Sequence, residues 1–511
     1  MPTSPSEPER YSIDEMMDRL KNVPSENPED GELVTRADGT VAIRIKKRKR
    51  RSSQPVHKER KATRQLRVFQ VTAAMVLVFL AVFTIGGAIV YANSSPFRLG
   101  LLRKIEENSG ALVEIQQFRM NPKTANAGSL TLNWPTGNIL KSLNLSGLNA
   151  EVFPSSFFGK SMIGEEVSAA TGNLELQFPQ ADEALRTITK PDGANSIRFN
   201  RYRIPLLQVT LGDPVAPLLK LSKSEASFNT ETVAGNPQVS LYNGDIAISN
   251  WPKLRLNRAL LEFRGEETRV ISFRLSHGTD SRGEFGLSGN IYPTLSDRIS
   301  SLNVVLDAFD ISGITGSSLG RLFLGKIDTQ AAVKSNFLSF QPRADSSPSL
   351  EVSFVASPSS RMEIQGFTFL SGLALAMQDS WFEKPVFEAD SSGEILRTQG
   401  NVILQKLNFE NRARMACRGE IKMAASEQLT GNLEIGIAEA MIGAAKNPRL
   451  NSLFRTTKDG FRWLTLKISG TAANPTDNFK ELFAAAETVS PEDPSTADDA
   501  ESTFEKLTRP K

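Results

Sequence analysis

The run VFQVTAAMVLVFLAVFTIGGAIVYA, from Val68 to Ala92, contains no charged residue. At about 1.5 Å of rise per residue a helix of this length reaches about 37 Å, more than the roughly 30 Å of a bilayer's hydrocarbon core. The stretch therefore predicts a membrane-crossing helix. A cleaved signal sequence would be shorter and nearer the amino terminus, whereas 67 mostly polar residues come first here. The flanks set the expected orientation. Between Arg44 and Arg67 twelve Lys or Arg stand against a single acid, Glu59, while beyond Ala92 the cations Arg98, Arg103 and Lys104 are offset by Glu106, Glu107 and Glu114. The positive-inside rule then places the amino terminus in the cytoplasm and everything after Ala92 across the membrane.

That basic segment explains the charge balance. The formal net charge of +3 conceals +11 between Arg44 and Arg67, so the remaining chain is net −8 and the exported part is not expected to bind nucleic acid. The block Lys46, Lys47, Arg48, Lys49, Arg50 and Arg51 is expected to meet anionic lipid headgroups. Residues 1–67 read as a largely disordered cytoplasmic arm. Within it Ile13, Met16, Met17 and Leu20 share one helical face and a hairpin is expected about Asp38-Gly39; both are candidate docking elements for a cytoplasmic protein partner.

Beyond a short helix expected in FRLGLLRKIEENSG and ending at Gly110, the hydrophobic period changes to two. LVEIQQF, SLTLNWP, SLNLSGLNAEVF, NLELQFP, ISFRLS, EFGLSGNIY, SLNVVLDAF, LEVSFVAS, EIKMA, NLEIGI and WLTLKISG each fit a strand bounded by Gly, Asn, Asp, Ser or Pro. Helical patterns interrupt near 314–325, 436–454 and 478–489. Two copies of one string, TGNLEL at 171–176 and TGNLEI at 430–435, read as a Gly-Asn turn releasing a strand. The fold class is thus mostly β: a single N-terminal transmembrane helix (68–92), then an elongated antiparallel sheet with a few short helices over 93–485, and an acidic disordered tail (486–511). A curved groove, a sandwich and a closed barrel all satisfy the alternation.

Chemistry is sparse. One cysteine, Cys417, permits neither an intrachain disulfide nor a cysteine zinc site. The string GSSLG at Gly316 to Gly320 matches a nucleophile elbow, but no βαβ pattern surrounds Ser318 and the one exported histidine, His277, sits in a polar loop sequence. No catalytic, cofactor-binding or metal-ligating residue is nominated, and no enzyme is expected.

The carboxyl end, LTGNLEIGIAEAMIGAAKNPRLNSLFRTTKDGFRWLTLKISGTAANPTDNF, resembles the terminal module of AsmA-like proteins: strand, apolar helix, strand, then a turn carrying Gly470, Thr471, Asn474 and Pro475. The anchor followed by a short helix, SGALVEIQQF and LTLNWP is similar to the opening of the same family; the basic arm of 67 residues departs from it. The resemblance implies an inner-membrane protein of a diderm bacterium with a periplasmic body that handles phospholipid along an apolar β-groove and contributes to outer-membrane and envelope biogenesis. Under that reading the lipid-facing residues are Leu130, Leu132, Trp134, Leu174, Leu176, Phe178, Leu433, Ile435 and Ile437. The competing expectation is a non-catalytic envelope scaffold or regulator with a closed β core and a partner-docking arm.

Overall fold

The computed structural model describes residues 32–44, 56–157, 161–178, 197–230, 235–278, 283–293, 297–330, 336–342, 347–445 and 447–486. The helical face at Ile13, Met16, Met17 and Leu20, the Lys46 to Arg51 block and the tail after 486 lie outside them. Internal contacts divide the chain into two compact units, Met1–Val82 and Phe83–Lys511.

The first unit holds the expected hairpin, β1 (Glu32–Thr35) antiparallel to β2 (Val41–Arg44), with Leu33 opposite Ile43. Gly39 takes the positive φ of +81° that the turn requires. The long helix α1 (Val56–Ala92) begins twelve residues before the uncharged run, because HKERKATRQLR consists largely of good helix formers. Its Thr72–Ala92 segment is long and apolar enough to cross a membrane, with outward-facing Leu77, Phe79 and Phe83.

The second unit takes in the last ten residues of α1 and continues with α2 (Ser95–Ser109), which has Pro96 in its first turn and stops at Gly110, φ +69°. Strands follow: β3 (Leu112–Gln116), β4 (Arg119–Met120), β5 (Thr124–Asn133), β6 (Leu140–Val152), β7 (Met162–Leu176), β8 (Ile197–Gly212), β9 (Pro217–Asn229), β10 (Gln238–Tyr242), β11 (Asp245–Ile248), β12 (Leu254–Arg264), β13 (Glu267–Ser276), β14 (Glu284–Ile291), β15 (Ser300–Asp307) and β16 (Phe309–Asp310). Two helical turns, α3 (Ser312–Thr315) and α4 (Ser317–Gly320), lead into β17 (Phe323–Leu324), β18 (Lys326–Thr329), β19 (Phe337–Phe340), β20 (Ser349–Ala356), β21 (Met362–Ile364), α5 (Thr368–Met377), β22 (Val386–Phe387), β23 (Ser392–Thr398), β24 (Asn401–Asn411), β25 (Met415–Met423) and β26 (Leu429–Ala438). The chain closes with α6 (Glu439–Ala444), α7 (Pro448–Leu453), β27 (Thr456–Lys458), β28 (Phe461–Gly470), β29 (Pro475–Asp477) and α8 (Phe479–Ala485).

Pairing follows chain order. From β3 and β4 through β5 to β9, across β10 and β11 to β12, on to β15, then β19, β20, β23 to β26 and β28, each strand bonds the next, antiparallel except for the parallel pair β7 and β8. Closed circuits of pairing are local. They arise where an interrupted strand, such as β10 and β11, is bonded on both sides by the same two neighbours, β9 and β12. Among the described residues β3 and β4 pair with β5 alone and β29 with β28 alone, so the two ends of the sheet do not meet. Strands β17, β21 and β22 form a separate small sheet.

A line of irregular backbone crosses the first half of the sheet. Gly147, Lys223 and Asn243 have φ of +62°, +58° and +57°, and register breaks fall between Ile204 and Leu207 and between Leu256 and Arg258. Across it, residues three apart share a face: Leu256 and Ala259 are both fully buried in one core. Such bulges increase local twist and bend the strands they interrupt.

The repeated TGNLE(L/I) strings are not turns. Gly172 and Gly431 lie inside β7 and β26, where a Cβ on Gly172 would stand 3.1 Å from Ile204 and Leu145 side-chain carbons and one on Gly431 only 2.3 Å from the Glu420 carbonyl oxygen. Glycine here permits close approach within the sheet. Gly431→Ala should accordingly cost about 1–3 kcal/mol of stability by overpacking. Gly443→Ala, in α6 with open space around it, should be neutral or stabilising by up to about 1 kcal/mol; urea unfolding of the two variants checks both.

Candidate apolar binding face

Directly opposed residues of a sheet point to the same side, so the pairing register reads out each face. One row runs Val113, Leu132, Leu143, Leu174, Val209, Leu221, Ile246, Leu254 from β3 to β12. A second, on the other side of the irregular line, runs Ala125, Ala150, Val167, Tyr202, Phe228, Val239, Leu261, Val270, Gly289, Leu302, Leu338, Leu350, Arg397, Val402, Met423, Leu429. One face of the sheet is therefore apolar across nearly all of its strands. A single charge interrupts the second row.

The two halves of that face are covered differently. After β16 the connections carry extra elements, and these fold over the half of the face from β12 onward. Phe409 of β24 meets Phe323 of the small sheet, Phe354 of β20 and Phe387 of β22 at ring-centroid distances of 6.2, 6.4 and 5.7 Å, and all four are fully buried. Leu370 and Leu373 of α5 and Leu450 of α7 join the same core. Over β3 to β8 the described cover comes from α2 and from Ala92 at the end of α1. In α2, Leu102 and Ile105 pack on Val113 and Leu132, and Phe97 on a cluster of Ala125, Ala150, Val152 and Phe199. The connection between β7 and β8 lies mostly outside the described residues.

The nominated residues divide along this boundary. Leu130, Trp134, Leu174, Leu176 and Phe178 are half-buried and Leu132 is 8 % exposed. Leu174 and Leu176 face Val209 and Leu211. Trp134 is turned toward α2, its indole Nε1 donating to the Ser109 carbonyl at 2.9 Å. By contrast Leu433, Ile435 and Ile437 are fully buried. Ile435 lies opposite Cys417, which lies opposite Phe409, so it belongs to the stack that the small sheet seals. The lipid-facing expectation for these three therefore gives way to a core role, because the inserted helices and strands fill the space a guest would need.

Sequence reading missed β8 and β9, which carry Tyr202, Ile204, Leu207, Val209, Leu211 and Phe228. Pro205 and the bulge beside it break the two-residue alternation, so the strand signal disappears there. Spacing of three between Ile204 and Leu207, flanked by regular alternation, is the signal that could have found it.

Arg397, the charge in the second row, is 6 % exposed. Its Nη1 donates to the Ile314 carbonyl at 2.6 Å, Nη2 donates to the Asn250 carbonyl, and the guanidinium stacks on Trp251 at 5.2 Å. Burial pulls its pKa down to about 10. The turn between β11 and β12 thus meets β23 across the apolar face. A Cβ on Gly400, just past β23, would lie 3.4 Å from that of Asn250.

The enzyme-like string does not assemble. The Ser318 hydroxyl donates to Glu427 Oε1 at 2.6 Å, while His277 Nδ1 is 3.1 Å from the Lys253 carbonyl. Among the described residues no cluster of three or more His, Cys, Asp or Glu could hold a metal. Cys417 is fully buried and its thiol is pushed up to about 12 by burial. A depression of about 600 Å³ is lined by the polar side chains of Thr131, Asn144, Asn173 and Gln208 together with Leu206 and the cation Lys223. No family model, no curated protein and no solved structure matches the chain.

Two outcomes follow from the burial pattern. Ile435→Asp should abolish cooperative unfolding by burying an unpaired carboxylate, a cost of several kcal/mol, whereas Leu176→Asp should keep a native circular-dichroism spectrum because its carboxylate can stay hydrated. Cys417 should resist a thiol-disulfide reagent at pH 8 in the native protein and react at once in urea, as thiolate is the reactive form.

Proposed function

We propose that this chain is an AsmA-like envelope protein that binds or guides phospholipid. Thr72–Ala92 acts as a single-pass anchor in a bacterial inner membrane, with the basic arm in the cytoplasm and the sheet in the periplasm, and the protein contributes to outer-membrane biogenesis without catalysis. The observation that carries this reading is the apolar row from Leu132 through Leu143 and Leu174 to Val209, partly open to solvent in the second unit. Each methylene of an acyl chain laid against such a row gains about 0.8 kcal/mol relative to water. The membrane-length helix supports an anchor, and the asymmetry of basic residues about it supports the orientation.

Guest space in this reading is confined to β5 to β9. The sealed core from β12 onward supports the second reading, a tethered scaffold with a closed β interior whose arm recruits a cytoplasmic protein. The two separate on purification. Under the first, lipid extraction and native mass spectrometry of the full chain recover phospholipid from wild type and Ser318→Ala, and at least tenfold less from Leu176→Asp. Equal, trace recovery from all three would leave the scaffold.

A further inference from the structure

The residue after α1 is tied firmly to the sheet. Asn93 engages both backbone groups of Met120 in β4: Nδ2 donates to the Met120 carbonyl and Oδ1 accepts from the Met120 N–H, each at 2.8 Å. The same Nδ2 donates to the Ile89 carbonyl at 2.8 Å, so one amide joins the last helical turn to the sheet. Ala92 beside it is 1 % exposed against Met120, Ala125 and Phe199.

Aromatic rings surround this junction. Tyr91 meets Phe97 at 5.8 Å, and on the sheet Tyr202 lies between Phe199 and Phe228 at 6.1 and 5.9 Å. Tyr91 is 58 % exposed at the end of the apolar span, the position where an amphipathic ring settles at headgroup level. From Tyr202 the apolar side chains of β8 continue through Ile204, Leu207, Val209 and Leu211, the last two opposite Leu174 and Leu176. Nine residues of strand cover about 30 Å, roughly twice the hydrocarbon depth of one leaflet.

We infer that the ring cluster around Tyr202 is the port by which acyl chains pass from the leaflet at Ala92 onto β8, with Asn93 as the positioning residue that holds the port at the end of the anchor. The inference rests on the lipid reading of the open face and names its point of entry. A route starting at the helix end keeps the chain out of water, where every exposed methylene would lower the transferring population about fourfold.

The test uses the full chain in phosphatidylethanolamine and phosphatidylglycerol vesicles, with a photoreactive benzoylphenylalanine replacing Tyr202 or Leu176. Both positions should label vesicle lipid. Asn93→Ala should reduce both at least fivefold, while soluble dihexanoyl-phosphatidylcholine, which needs no port, labels position 176 equally with and without the substitution. Labelling at 176 but not 202, or vesicle labelling unaffected by Asn93→Ala, overturns the port and leaves the lipid reading intact. Absence of labelling at 176 by either lipid removes the lipid reading itself. Should the alanine variant fail to fold, Asn93→Asp, which keeps the acceptor for the Met120 N–H but loses both donated bonds, gives the same comparison.

Discussion

Cross-strand contact between apolar side chains, Leu132 with Leu143, Leu143 with Leu174, Leu174 with Val209, is the interaction on which the second unit depends. Because the same face stays apolar from strand to strand, burial of each strand reinforces the register of the next: a slip of one residue would turn the whole row outward. The face must then be covered, and coverage is where the halves of the sheet diverge. Inserted elements between β16 and β18 and between β20 and β23 bring Phe323, Leu370, Leu373 and Phe387 down onto the later strands. The earlier strands receive α2 and the end of α1 among the described residues. Their Leu174, Leu176 and Phe178 remain half-buried.

Arg397 marks the change from one regime to the other. A buried guanidinium is costly unless hydrogen bonds replace its hydration. Here the carbonyl oxygens of Ile314 and Asn250 do so for Nη1 and Nη2, and Trp251 covers the guanidinium face, while the buried Nε has no hydrogen-bond partner. The arrangement ties the β11–β12 turn to β23 and to α3, three segments distant in sequence. An apolar residue could fill the volume but would leave both carbonyls without these donors.

At the other end the sheet is joined to the long helix by directional bonds rather than by packing alone. Asn93 mimics a strand neighbour for Met120, engaging both its backbone groups, while its Nδ2 also donates to the Ile89 carbonyl in the last turn of α1. A half-covered apolar surface whose first strands are bonded to the residue that follows the apolar helix suits a ligand with acyl chains, which is the physical basis of the functional proposal.

The sequence by itself determined the period of each segment. An uncharged run of membrane length, a helix ending at Gly110 and alternating strands such as Ser300–Asp307 follow from local spacing alone, since side-chain direction repeats every 3.6 or 2 residues; the helix expected over 436–454 is instead the end of β26 and the two short helices α6 and α7. It also supplied Leu174 and Leu176 as members of an apolar face. What only the tertiary structure decided was whether such a face is open or filled: Leu176 and Ile435 sit in nearly identical strings, TGNLEL and TGNLEI, yet one remains half-buried and the other is sealed. Alternation states that a residue turns away from water on its own strand. It carries no information about which remote helix or sheet arrives to cover it, because that depends on insertions far along the chain.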